Sequence, residues 1–159
     1  MFNWLTGTLV GKYIFVFLAS MIPVMELRGA IPIGVGLGLP LLPTILVCIL
    51  GNLVPVPFIV IFIRRIFLWL RTKAGWLDRA VSRLEAKAYS KKDLIYKYEV
   101  LGLFILVAVP LPGTGAWTGA LVAAFFDIRL KNAFPAIFAG VVTAGAIIGL
   151  LTGGVVALL

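Results

Sequence analysis

From Gly29 to Ile63 the chain runs 35 residues without a charged side chain. A helix of about 20 residues crosses a hydrocarbon core ~30 Å thick, so this run is too long for one straight span and must bend or turn at membrane depth. The charges are gathered elsewhere. Residues 64–99 hold ten of the 14 Lys and Arg and four of the six acids. Basic residues beside the ends of spans mark the cytoplasmic side, and that placement explains the net charge of +8 better than nucleic-acid binding does. With 62% hydrophobic and 13% charged residues, the chain also lacks the polar surface of a soluble domain. The expectation is a multi-pass protein of a prokaryotic plasma membrane, with 64–99 in the cytoplasm, membrane lipids as its surroundings and no nucleic-acid partner.

The chain has no His and a single Cys, Cys48, inside the apolar run Ile45–Leu50. Disulfide frameworks and zinc sites are thereby removed, and Cys48 reads as core packing. Serine–histidine and HExxH proteases need His, and an aspartyl type needs paired intramembrane Asp. No enzyme and no cofactor are expected. Residues 1–5 carry no basic region, and no small-residue cleavage site follows 13–25, so the N-terminus is expected to be retained.

Four stretches suit membrane depth: 1–25, 29–63, 100–126 and 132–159. An apolar helix in the first ends near Pro23. Gly29, Pro32, Gly34, Gly36, Gly38 and Pro40 crowd the start of the second, which argues against continuous helix there. A cleaner span follows from about Leu41 to Ile63, with Pro55 and Pro57 placed to kink it. In the third stretch, Leu101–Val109 and Ala116–Phe126 read as two short helices separated by Pro110-Leu-Pro-Gly-Thr-Gly115, neither long enough to span a bilayer. If that stretch crossed outward, Arg129 and Lys131 would lie outside, against the positive-inside rule; a re-entrant hairpin keeps both cytoplasmic.

Residues 1–63 can be read as the mirror of this arrangement. The fold expected is a single all-α integral membrane domain of two inverted repeats, 1–63 and 100–159, each a broken or re-entrant helical hairpin plus a full transmembrane helix. The connector 64–99 is basic. Within it Leu77, Ala80, Val81, Leu84 and Ala88 fall at helical spacing, an amphipathic surface helix over 76–88.

Glu26 and Arg28 are the only charges between Lys12 and Arg64. Charges at membrane depth are costly, so they are normally paired or turned toward a cavity. Positions i and i+2 share a face only in extended backbone. Because Pro23 and Pro32 bracket the pair, Glu26 and Arg28 are expected to project together from an unwound segment into one aqueous pocket. The competing reading is a surface turn with a solvated ion pair. In the second candidate, residues 110–119, Gly113 and Gly115 at a helix start leave backbone amides free to face an anion, with Thr114 and Thr118 as hydroxyl donors. The competing reading there is close helix packing through small residues, and Asn52 is either a ligand-binding group or interhelical glue. Pro23, Pro32, Pro110 and Pro112 are the helix breakers.

Glu26-Leu-Arg-Gly-Ala-Ile-Pro32 and Val109-Pro-Leu-Pro-Gly-Thr-Gly-Ala-Trp-Thr-Gly-Ala120 resemble the family of putative small multidrug export proteins, which is itself distantly similar to the DedA membrane proteins. The resemblance implies paired re-entrant helices and transport; DedA relatives are linked to ion-driven movement of polyprenyl-phosphate carrier lipids. Glu26 matches the acidic position of the first re-entrant segment, and Pro112 with Gly113 matches a Pro-Gly element. The arginine usual near the second hairpin has no counterpart between Lys97 and Arg129. The expected function is proton- or ion-coupled transport of an anionic amphiphile such as a lipid phosphate. Arg28 and the Gly113–Gly115 amides would hold the headgroup and Glu26 would carry the proton. Export of cationic amphiphilic drugs and a non-transporting assembly factor are the alternatives. So short a chain has few helices to enclose a path, so a homodimer is expected.

Overall fold

The computed structural model describes residues 7–73, 92–111 and 113–158, and these form helices and no strand. Pro112 and the amphipathic helix expected over 76–88 lie outside them.

Helix α1 (Leu9–Met21) starts under Thr8, whose side-chain oxygen accepts from the Gly11 amide at 3.1 Å. It ends at Ile22, which turns to extended backbone just before Pro23. Helix α2 (Glu26–Gly36) follows after a short turn. This corrects the expectation of an unwound segment: past Glu26, whose own backbone is left-handed, the chain is helical to Gly36, with Pro32 inside the helix. The reason is burial. Leu27, Ala30, Ile31 and Gly34 lie on one stripe at helical spacing and are buried. A short helix that packs one face against neighbours keeps its form despite a proline and several glycines, because tertiary packing outweighs local propensity. Lys12, on α1, donates to the Leu37 carbonyl at 2.5 Å, where α2 ends and its last carbonyls lack helical partners.

Helix α3 (Leu41–Leu53) and helix α4 (Pro55–Lys73) meet at Val54, whose backbone stays in the helical region. Pro55 and Pro57 have no amide N–H to return to the preceding turn, so the break falls where the prolines predict it. Together Leu41–Ile63 make a candidate membrane span of 23 residues, about 35 Å at 1.5 Å per residue. Helix α5 (Lys92–Ala108) gives way to a turn and then to helix α6 (Ala116–Phe125); α6 is the short helix expected after the Pro/Gly cluster, whereas α5 starts nine residues before the expected Leu101, inside the stretch read as connector, and is 17 residues long. Helix α7 (Leu130–Leu158) supplies the second candidate span, Leu130–Val155, of 26 residues. By length and composition these are the two helices among the described residues able to cross a membrane.

The order helix, short helix, long helix thus occurs twice. In each unit the three elements pack on one another: α1 with α2 and α3, α2 with α3; α5 with α6 and α7, α6 with α7. The units also interlock, since α2 packs on α7 and α6 on α4. A glycine at the eleventh position of each long helix sets the closest approach. A side chain at Gly51 would meet Ser20 and the Phe17 carbonyl on α1, and one at Gly140 would lie 2.7 Å from Val107 and 3.0 Å from the Phe104 carbonyl on α5. Small residues at helix crossings are how helices associate in lipid, where apolar burial gains little. The buried core between the units, including Ile31, Cys48, Val56, Ala120, Ala123, Ile137 and Val141, is accordingly rich in small and β-branched side chains. Cys48 is fully buried there, a packing residue. Outward, Leu42, Leu46 and Leu50 on α3, and Phe58, Ile61 and Phe62 on α4, are exposed in rows. Apolar side chains in that number are stable against hydrocarbon and not against water.

Candidate functional site

The two motifs meet in space. The first turn of α2 presses against the turn 109–115 and the start of α6, and three side chains fasten them.

Glu26 is buried and has a positive φ of 46°, a left-handed conformation that non-glycine residues adopt at some energetic expense. Its Oε1 accepts from the backbone amide of Trp117 at 3.3 Å. Trp117 is the second residue of α6, where the amides have no helical partner and the helix end is partly positive. A carboxylate of this chain therefore occupies the anion seat of α6. Gly115, just before α6, makes room for it: a Cβ there would lie 2.6 Å from the Glu26 carboxyl carbon, and φ is 136°. Glycine is required on both counts.

Arg28 turns a different way. Its guanidinium donates to the carbonyls of Leu111 and Thr114 and, at 2.8 Å, to Thr114 Oγ1. Glu26 reaches the amide end of the turn and Arg28 its carbonyls. The expectation of a pair projecting together from extended backbone is corrected on this point. The planar fork of Arg matches two convergent oxygens, and here it braces the turn. Thr114 Oγ1 also lies 2.7 Å from the Val109 carbonyl and 2.8 Å from that of Leu111, while Thr118 donates to the Gly113 carbonyl at 2.9 Å. The Thr114 amide donates to Leu111 O at 3.1 Å. The hydroxyls expected to meet a ligand thus hold the loop in shape. Gly113 has a φ of 82° and open space around it, a turn former. Of the breakers, Pro23 separates α1 from α2 and Pro110 lies in the turn between α5 and α6, whereas Pro32 breaks nothing.

Trp117 closes the assembly from the other side, its indole Nε1 donating to the Met21 carbonyl at 2.9 Å, at the end of α1. Sequence reasoning passed over this residue. An indole N–H inside an otherwise apolar motif was the available signal, since it needs an acceptor when buried. A narrow crevice behind the fastening is lined by Glu26, Leu27, Arg28, Asn52, Val107, Gly115, Ala116, Val141 and Ala144. Asn52, 1% exposed in the last turn of α3, belongs to it. Glu26, Arg28, Gly115 and Asn52 are therefore brought together; Thr114 lies beside them in the turn, and Gly113 and Thr118 on its exposed side.

No curated protein and no solved structure matches the chain. The family model described as "Putative small multi-drug export protein" matches residues 26–147, which begin at Glu26 and include both fastened segments. That match covers most of the 159 residues, and the chain belongs to the putative small multi-drug export protein family.

Proposed function

We propose that the protein is an ion-coupled membrane transporter that moves an amphiphile with an anionic headgroup, such as a lipid phosphate, by exchanging that headgroup for its own Glu26 carboxylate at the start of α6. The observation that carries this reading is Glu26 seated on the Trp117 amide with Arg28 beside it. Ionised Glu26 fills the seat. Protonation from water removes the charge that the helix end attracts, and so weakens the hold of the α6 end on the group. What is left is the positive end of α6 and the Arg28 guanidinium, a field suited to phosphate or carboxylate. A cationic drug would enter that same field unfavourably, since the Glu26 charge is already met by the end of α6; this weighs against the cationic-export reading.

In this proposal α1–α2 and α5–α6 are re-entrant pairs of two inverted repeats that enter from opposite faces, as in many transporters. The whole is one membrane domain, with 64–99 cytoplasmic and two chains forming a homodimer. A distant kinship with DedA proteins belongs to the same reading. The test is uptake of a labelled short-chain polyprenyl phosphate into proteoliposomes driven by a pH gradient. Glu26→Gln should abolish gradient-driven uptake while the protein still elutes as a folded species in detergent. Undiminished uptake by that variant refutes coupling through Glu26. Displacement of substrate by hydrophobic cations in preference to phosphate lipids would establish the cationic reading instead. Normal cellular function after Glu26→Gln with Arg28→Gln would establish an assembly role.

A further inference from the structure

Asn52 Oδ1 is buried and has no hydrogen-bond partner. A buried acceptor left unpaired is unfavourable enough that native structures seldom keep one without a purpose. The other polar side chains lining the crevice are those of Glu26 and Arg28. The crevice is narrow, and a side chain that moves within it can supply the partner that Oδ1 lacks. Ionised Glu26 cannot serve, because a carboxylate only accepts; with a proton added it has one O–H to donate. Arg28 gives its hydrogen bonds to the turn carbonyls.

We infer that the Asn52 side-chain amide is the second station of the Glu26 carboxyl group: on taking a proton from water, Glu26 leaves the amide of Trp117 and donates its O–H to Asn52 Oδ1. The inference rests on the transporter reading above and says where the displaced carboxyl goes. Both stations line the same crevice. The move frees the α6 end for a headgroup, and reversal expels that headgroup as Glu26 ionises. The other charged and titratable groups near Glu26 lie apart. On α1, Lys12 is bonded to Leu37 at the far end of α2, and Tyr13 packs on the core; on α3, the Cys48 thiol faces the Val16 carbonyl; on α7, Lys131 sits in the first turn; α6 has none. Among them only Arg28 shares the crevice with Glu26.

The test is infrared difference spectroscopy of the protein in phosphatidylcholine vesicles across a pH titration. Acidification should produce a carboxyl C=O band, missing in Glu26→Gln, at the frequency of a hydrogen-bonded acid. In Asn52→Leu that band should move to the frequency of an unbonded acid, and half-protonation should need about tenfold more acid, the effect of one lost hydrogen bond. A band at unchanged frequency in Asn52→Leu overturns the inference. Should that variant fail to fold, the wild-type protein with ¹³C-asparagine decides. The chain has three asparagines, Asn3, Asn52 and Asn132, and one amide C=O band should shift on acidification in wild type and stay fixed in Glu26→Gln. No shift overturns the inference equally. Loss of uptake in Glu26→Gln together with an unmoved Asn52 band removes this inference alone, whereas undiminished uptake in Glu26→Gln with a moved band in wild type removes coupling through Glu26 and leaves the move of its carboxyl group standing.

Discussion

Substituting Gly115 by alanine attacks the joint between the two halves at one atom. The new Cβ would lie 2.6 Å from the Glu26 carboxyl carbon, far inside contact distance, so the carboxylate must leave the Trp117 amide. A hydrogen bond to a charged group contributes about 1.5–3 kcal/mol. Alanine also has to adopt φ 136° and ψ −169°, a region open essentially to glycine, at a further ~1–3 kcal/mol. Gly115→Ala should therefore destabilise by about 2.5–6 kcal/mol on the sum of these two effects. The two parts separate in a double-mutant cycle. With Glu26→Ala already in place there is no carboxylate to evict, and Gly115→Ala should then cost only the backbone part, leaving a coupling of about 2 kcal/mol. The measurement is equilibrium unfolding in detergent micelles by titration with a denaturing surfactant. Additive effects of the two substitutions would show that Glu26 does not occupy the seat at α6, and the proposed exchange would fall with it.

Glycines on α7 and α2 give a contrast within one chain: Gly140→Val should separate α5 from α7 and destabilise by ~1–3 kcal/mol or more, because its Cβ meets Val107 and the Phe104 carbonyl. Gly36→Ala, with open space around it, should be neutral or stabilising by up to ~1 kcal/mol, and thermal unfolding of both in one detergent checks the pair. Trp117→Phe keeps the ring and removes the indole N–H, leaving the Met21 carbonyl without its donor. A loss of ~1–3 kcal/mol is expected, with faster amide exchange around residues 22–26; exchange unchanged there would mean that the bond does not hold the end of α1.

The breaks in this chain were readable one residue type at a time. Pro23, the Pro55/Pro57 pair and the cluster at 110–115 stop or kink helices for a local reason, a missing amide N–H or a positive φ, and the helices end beside them. Pro32 shows where the same rule fails. The stripe Leu27, Ala30, Ile31 and Gly34 is buried by α1, α3 and α7, elements whose positions no local rule supplies, and packing keeps α2 helical through the proline. The candidate residues were legible for an equally simple reason: in a chain that excludes charge from long stretches, Glu26 and Arg28 stand out.

Their partners were another matter. Glu26 meets an amide 91 positions away, Arg28 meets carbonyls 83 and 86 positions away, and Trp117 reaches back 96 positions to Met21. Residence in a membrane, the long apolar runs and the position of most breaks follow from hydration and backbone chemistry, which act on each residue where it stands. Which carboxylate fills the end of α6, and that Arg28 braces a turn and does not pair beside Glu26, follow from how the helices before and after residues 74–91 interlock. Hydrogen-bond partners are chosen by what is within 3 Å, and that distance is set only when the chain has folded back upon itself.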